Sequence, residues 1–81
     1  MIKDIKVQDT VIFQSRWCEE DIYDGEVLSV DEKGVTVVYL YDGYKSGTDD
    51  VLLEDILAKV DLKAPRIKLK NTPYSGNFIV Y

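Results

Sequence analysis

The run Val-Thr-Val-Val-Tyr-Leu-Tyr at residues 35–41 would place apolar side chains on both faces of one extended strand. Because side chains alternate along a strand, one face carries Val35, Val37, Tyr39 and Tyr41, and the other carries Thr36, Val38 and Leu40. A strand with two largely apolar faces must be covered on more than one side, as it is in a small, tightly curved barrel. The run therefore predicts an all-β fold built around it.

Strand and turn signals dominate the rest of the chain, and no segment is a convincing helix. β-Branched and aromatic residues predict strands at 10–14 and 23–30. The tetrapeptide Asp-Glu-Lys-Gly at 31–34 predicts a hairpin turn, in which Gly34 tolerates a positive φ. Residues 42–47 contain Asp-Gly and Ser-Gly pairs and predict a second reversal of the chain.

Residues 48–60 are ambiguous, because their apolar positions fit either a short helix or extended chain. We favour a strand–turn–strand arrangement, since the segment is short and follows a hairpin. The predicted elements are a short strand near 49–53, a helical turn near 54–57 and a closing strand at 58–62.

The C-terminal part predicts a β-hairpin. After Pro65, residues 66–70 alternate basic and apolar side chains, residues 71–77 predict a turn or loop, and residues 78–81 predict one more strand. We therefore expect a barrel over residues 1–62 and a basic extension over residues 63–81, which forms a hairpin packed on the barrel.

Length and composition indicate a single small domain. The chain has 81 residues, of which 46% are hydrophobic, and this is enough for one modest core. Its apolar runs are far shorter than a membrane span, and its charged N-terminus lacks the apolar stretch of a signal peptide. Cys18 is the single cysteine, so no internal disulfide can form. We therefore expect an intracellular protein, cytoplasmic or nuclear, without membrane association.

Charge is unevenly distributed along the chain. All 15 acidic residues lie at or before Asp61, and with six basic residues they give residues 1–61 a net charge of −9. Residues 62–81 carry +4, from Lys63, Arg66, Lys68 and Lys70. An acidic body attracts cationic partners and repels phosphate. Nucleic acid is therefore a disfavoured partner, and only the basic extension could bind it.

The residue types argue against an enzyme. The chain has no histidine, which removes the usual general base near neutral pH. Cys18 has no histidine to activate it, and the neighbouring Glu19 and Glu20 would raise the pKa of its thiol. The acidic pairs occur without a calcium loop or a set of nitrogen or sulfur ligands. We therefore predict no catalytic residues, no metal site and no cofactor.

Four pieces of the sequence occur in a characteristic order. They are Trp17 after the first predicted strand, Tyr23 opening the second, the Val37–Tyr39 segment in the third, and the acidic-apolar residues 51–56. Over about residues 7–61 this order resembles a Tudor domain, the SH3-like barrel known for binding methylated lysine or arginine. The resemblance implies a five-stranded SH3-like, Tudor-like barrel. Chromo-like, agenet-like and KOW barrels share the skeleton and bind different partners.

The resemblance also implies a binding site at one end of the barrel. A methylated ammonium keeps its charge and gains apolar surface, so aromatic faces suit it. The walls of the predicted cage would be Trp17, Tyr23, Tyr39, Tyr41 and Tyr44, with Tyr41 and Tyr44 as alternatives for the second aromatic of strand three. The predicted acidic rim would comprise Glu19, Glu20, Asp21, Asp42, Asp49 and Asp50. The alternative is a structural role, in which Tyr39 continues the core face of its strand and pairs with Tyr23.

The predicted function is a non-catalytic protein-interaction module. It would bind a cationic peptide, methylated lysine or arginine included, or a basic protein surface through the predicted cage and rim. The alternative is a small acidic accessory protein, of the kind that phages and plasmids carry, which binds or inhibits a nucleic-acid-binding protein by charge mimicry. Both a monomer and a dimer formed through the apolar residues 78–81 are compatible with the sequence.

Overall fold

The structure is a computed structural model that describes residues 4–16, 21–41 and 44–81, without the side chains of Tyr41 and residues 44–46. The strands in chain order are β1 (Thr10–Gln14), β2 (Ile22–Val30), β3 (Gly34–Tyr41), β4 (Tyr44–Leu52), β5 (Ile56–Val60), β6 (Arg66–Lys68) and β7 (Ser75–Val80). One 3₁₀ turn, Leu53–Asp55, joins β4 to β5. Within these ranges, no helix is long and apolar enough to cross a membrane.

The strands form one antiparallel sheet in the order β4-β3-β2-β1-β5-β7-β6. The predicted all-β class is confirmed. No pairing among the described residues joins the two end strands, β4 and β6, so the sheet is not closed by hydrogen bonds. The sheet has seven strands, and neither a closed barrel nor a count of five strands is shown.

The predicted element boundaries are accurate in the first half of the chain and shift in the second. The first strand matches at 10–14, and the second and third begin one residue earlier than predicted. β4 is longer than the predicted 49–53 strand, because it pairs with β3 from Tyr44 to Leu52 across a bulge. β5 begins at Ile56 rather than at 58, and β7 begins at Ser75, inside the predicted loop.

Gly34 has a different role from the one predicted. Its φ does not lie in the left-handed region, so the turn does not require a positive φ there. A β-carbon at this position would instead lie 2.0 Å from the carbonyl oxygen of Val51 on β4. The reversal is stabilised by Asp31, whose Oδ1 accepts hydrogen bonds from the backbone N–H groups of Lys33 (2.7 Å) and Gly34 (2.9 Å). These bonds lower the pKa of the Asp31 carboxyl.

The sheet curls around a first hydrophobic core. In a flat sheet, β4 and β5 would lie about 19 Å apart, since each of the four steps between them is about 4.8 Å. Val51 of β4 and Ile56 of β5 nevertheless belong to the same buried cluster. The other members of this cluster are Ile5, Val11, Phe13, Val27, Val35 and Val37. Strong curvature therefore brings the inner faces of β1 to β5 together.

A second core lies on the opposite face of β1 and β5. Ile12 alternates with Val11 and Phe13 along β1, so it points away from the first core. It packs with Ala58 of β5, Leu69 and Phe78 of β7, and all four are 6% exposed or less. The C-terminal hairpin of β6 and β7 therefore covers the outer face of the sheet. This contact crosses the predicted domain boundary at residue 62, which stays a prediction.

Candidate functional site

Three aromatic rings meet at one end of the first core, and we call Phe13, Tyr23 and Tyr39 the aromatic cluster. Phe13 of β1 lies opposite Tyr23 of β2, and Tyr39 of β3 lies opposite Gly25, two residues further along β2. A β-carbon on Gly25 would lie 3.1 Å from Phe13 Cε1. The missing side chain at Gly25 thus leaves room for the rings on either side of it to meet.

The rings of the aromatic cluster pack at steep angles. The centroids of Tyr23 and Tyr39 are 5.4 Å apart with an interplanar angle of 86°. Those of Phe13 and Tyr39 are 5.6 Å apart at 50°. Phe13 is fully buried, whereas both tyrosines are half-buried. The rings of Tyr23 and Tyr39 are therefore nearly perpendicular to each other. Both pack against the first core and are partly exposed to solvent.

A partly buried polar network fixes the Tyr39 ring. The Tyr39 hydroxyl donates to Asp49 Oδ2 of β4 at 2.5 Å. The Ser15 hydroxyl, which is 1% exposed, lies 2.9 Å from the Tyr39 oxygen and donates to Asp49 Oδ2 at 3.2 Å. Because a buried hydroxyl without partners is costly, this network ties the end of β1 to β3 and β4. It holds the Tyr39 ring in one orientation.

The residue that follows Ser15 is held by an ion pair. Arg16 Nε donates to Asp55 Oδ2 at 2.8 Å, and its Nη2 donates to Glu54 Oε1 at 3.0 Å. The hydrogen bond and the charge of Asp55 raise the pKa of the Arg16 guanidinium further. This pairing ties the end of the described segment after β1 to the 3₁₀ turn between β4 and β5.

The structure places only part of the predicted site. Tyr23 and Tyr39 come together, and the half-buried Asp49 carboxylate accepts a hydrogen bond from the Tyr39 hydroxyl. Asp50 points to the other face, where it accepts a hydrogen bond from Thr36 Oγ1 at 2.8 Å. The backbones of Tyr41 and Tyr44 pair with each other, but their side chains are not described. The remaining predicted residues outside the description are Trp17, Glu19, Glu20 and Asp42.

Sequence reasoning missed Ser15. The signal was present, because Ser15 continues the period-two alternation of Val11 and Phe13 and so points to the inner face. A hydroxyl on a core-facing position implies a buried polar partner. The partner, Asp49, is 34 residues away, and no local pattern identifies it.

A second tyrosine–aspartate contact links the C-terminal hairpin to β2. The Tyr74 hydroxyl, from the segment before β7, donates to Asp24 Oδ1 at 3.2 Å. Burial, followed by the negative charge of Asp24, raises the pKa of Tyr74 to about 12. Tyr74 also packs on the second core, so this contact joins the hairpin to the strand that carries Tyr23.

This raised pKa predicts a loss of stability at alkaline pH. The folded state holds the Tyr74 proton more tightly than the unfolded state, so the stabilisation is complete below pH 10 and is lost as the pH rises toward about 12. After solvent screening of this partly exposed group, we expect a loss of about 1 kcal/mol. Urea unfolding between pH 9 and pH 12 measures this loss.

Tyr74→Phe is the matched variant for the alkaline prediction. It should be less stable than the wild type at pH 9 and should show a shallower alkaline decline. Tyr81, whose pKa is also raised by burial, is present in both proteins, so their difference isolates Tyr74. Identical alkaline slopes would contradict the assignment.

Comparison with protein-family models, with curated proteins and with solved structures gives no significant match.

Proposed function

We propose that this chain is a non-catalytic protein-interaction domain that binds a cationic side chain of another protein against Tyr23 and Tyr39. The observation that carries the proposal is the pair of nearly perpendicular, half-buried rings, whose centroids are 5.4 Å apart, with the Asp49 carboxylate on the hydroxyl of one of them. Two such faces attract a cation through their quadrupoles, and methyl groups on the cation pack against the rings. Methylated lysine and methylated arginine are the preferred ligands.

The hydrogen bond from Tyr39 to Asp49 supports this proposal. A phenol that donates to a carboxylate gains electron density on its oxygen and ring, since hydrogen bonds in a partly buried site polarise one another. The negative face of Tyr39 is strengthened in this way. Asp49 therefore positions the ring and adds negative potential beside it.

The curvature of the sheet supports a Tudor-like, SH3-like architecture for the same region. β1 to β5 wrap around one core that includes Val51 and Ile56 from the two outer strands of this set. In such a barrel, the loop after β1 and the turn after β3 lie at the end where the aromatic cluster is found. Trp17 and Tyr44 are then candidates for further walls of the cage.

The test is a titration of isotope-labelled protein with short peptides that carry trimethyl-lysine, dimethyl-arginine or the unmodified residue. We expect a methylated peptide to bind more tightly than the unmodified one and to shift the signals of Tyr23 and Tyr39. Tyr23→Leu keeps apolar volume but removes a ring face, and each cation–aromatic contact is worth about 0.5 to 2 kcal/mol. The variant should therefore bind about 2- to 30-fold more weakly.

Tyr81→Leu is the matched control for this experiment. Like Tyr23, Tyr81 is half-buried and packs on the first core, but it follows β7 and bonds through its backbone to Leu57 of β5. The control should bind peptide as the wild type does. Unchanged Tyr23 and Tyr39 signals at millimolar concentrations of every peptide would refute the proposal.

Charge mimicry makes a different prediction. It requires salt-sensitive capture of a basic protein that survives Tyr23→Leu and is lost on charge reversal at Asp50. Asp50 suits this test because it is exposed and accepts a hydrogen bond from the Thr36 side chain, whereas reversing the charge of Asp49 would also release the Tyr39 hydroxyl. Capture that depends on Asp50 and ignores Tyr23 would favour the acidic accessory protein.

A further inference from the structure

A groove begins beside the proposed site and is completed by the C-terminal hairpin. One wall is the start of β2, with Asp21, Ile22 and Tyr23, and the other is the turn before β7, with Asn71 and Pro73. The groove is open to solvent and has a volume of about 300 Å³. Tyr23 lines this groove and also belongs to the aromatic cluster, so the groove and the proposed site share this residue.

The C-terminal wall is held by its own hydrogen bonds. The Thr72 hydroxyl is buried and donates to the carbonyl oxygen of Leu69 at 2.9 Å, while it accepts from the Tyr74 N–H at 3.1 Å. The Leu69 N–H donates to the Tyr74 carbonyl at 3.0 Å, and Leu69 is itself buried in the second core. Asn71 adopts a positive φ of 63°, which Asn tolerates well. The wall is therefore present before any ligand binds.

The two walls are also fixed relative to each other. The Tyr74 hydroxyl donates to Asp24 of β2, one residue after Tyr23. Tyr74 and Ile22 pack on the same core cluster. The entropy cost of ordering the groove on ligand binding would therefore be small, and a small cost favours affinity.

The chemistry of the lining selects a basic side chain. Asp21 is exposed and supplies a carboxylate, and Asn71 supplies an amide oxygen on the opposite wall. Pro73, Ile22 and Tyr23 offer apolar surface for an aliphatic stem. An arginine fits this set better than a lysine, because its planar guanidinium presents five donors that can reach both oxygens. The C-terminal wall brings Asn71 and Pro73 to the groove, not the basic residues Lys68 and Lys70.

We propose that the groove between Asp21–Tyr23 and Asn71–Pro73 is a second subsite, which binds an arginine one or two residues from the cation held at Tyr23 and Tyr39. This inference rests on the proposed function. An extended peptide advances about 3.3 to 3.6 Å per residue, so a neighbouring side chain can reach a groove that shares Tyr23 with the first site. The preferred partner is thus a segment with two closely spaced basic residues, and the C-terminal hairpin is part of its binding surface.

The experiment compares two peptides of equal length, each with one trimethyl-lysine. The first carries an arginine two residues away, and the second carries citrulline, which has nearly the same shape without the charge. We expect the arginine peptide to bind the wild type about fivefold more tightly, and to shift the amide signals of Ile22 and Asn71. In Asp21→Asn this preference should fall below twofold.

Glu32→Gln is the matched control, because it removes one negative charge from an exposed residue in the turn that follows the far end of β2. It should keep the fivefold preference. An equal loss in both variants, or equal binding of the two peptides to the wild type, would overturn the subsite while leaving the proposed function intact. If neither peptide binds, both proposals fail.

Discussion

Replacing Phe78 with alanine should lower the free energy of unfolding by about 3 to 5 kcal/mol, the usual cost of deleting a buried phenyl ring. Phe78 is 6% exposed and packs against Ile12, Ala58 and Leu69 in the second core. A domain of this length has a total stability of about 4 to 12 kcal/mol, so the loss is a large share of it. Because Ile12 and Ala58 lie on β1 and β5, we expect the whole chain to be destabilised, including the strands that carry the aromatic cluster.

Urea unfolding combined with amide hydrogen exchange measures this effect. Val80→Ala is the matched control, since Val80 lies on the same strand and is 55% exposed; it should change stability by less than about 0.5 kcal/mol. In Phe78→Ala, the amides of Val37 on β3 and Ile79 on β7 should lose protection together. If Ile79 alone lost protection, residues 63–81 would be a separable extension and the second core would not support the sheet.

The fold class could be predicted from the sequence because its signals are local. The β-branched and aromatic residues at 10–14 and 35–41 and the turn at 31–34 each identify an element without reference to distant residues. The extent of β4 could not be predicted in this way. Its Ser, Gly and Asp residues are poor strand formers, and they become a strand only because β3 lies beside them.

The second core could not be predicted from the sequence, for a related reason. The most distinctive feature of residues 63–81 in the sequence is their positive charge. Charge does not predict that Leu69 and Phe78 are buried in a core. Ile12 does not indicate the second core either. A strand with apolar residues at 11, 12 and 13 has two apolar faces, and its sequence does not identify the element that covers each of them. The same limit applies to the groove, whose two walls come from segments about 50 residues apart.

The candidate site was predicted in part. The residue type of Tyr23 and Tyr39 identifies them as candidates, whereas their contact follows from the registers of β1, β2 and β3 and from the small size of Gly25. The charge of Asp49 identifies it as a candidate, but its hydrogen bond to Tyr39 depends on the pairing of β3 with β4. Composition can therefore identify the residues of such a site, whereas their roles depend on strand register.

Among the glycines that the structure describes, replacing Gly34 with alanine should destabilise the protein most. The added β-carbon would lie 2.0 Å from the carbonyl oxygen of Val51, where contacts below about 3 Å do not occur, so backbone must move. Val35 and Val51 are paired and both are 4% exposed, which means that displacing either strand disturbs the first core. We expect a loss of about 3 kcal/mol, at the upper end of overpacking effects, measured by urea unfolding.

Gly47→Ala is the matched control for Gly34→Ala. Gly47 also lies on β4, is exposed, and has no atom within 4 Å of an added β-carbon. Alanine there should stabilise the protein by about 0.4 to 1 kcal/mol, because it restricts the unfolded chain. Small and equal effects at both positions would show that the β3–β4 contact tolerates an extra methyl group. Since β3 and β4 also carry Tyr39 and Asp49, the displacement in Gly34→Ala should weaken peptide binding at the aromatic cluster, which the control should leave unchanged.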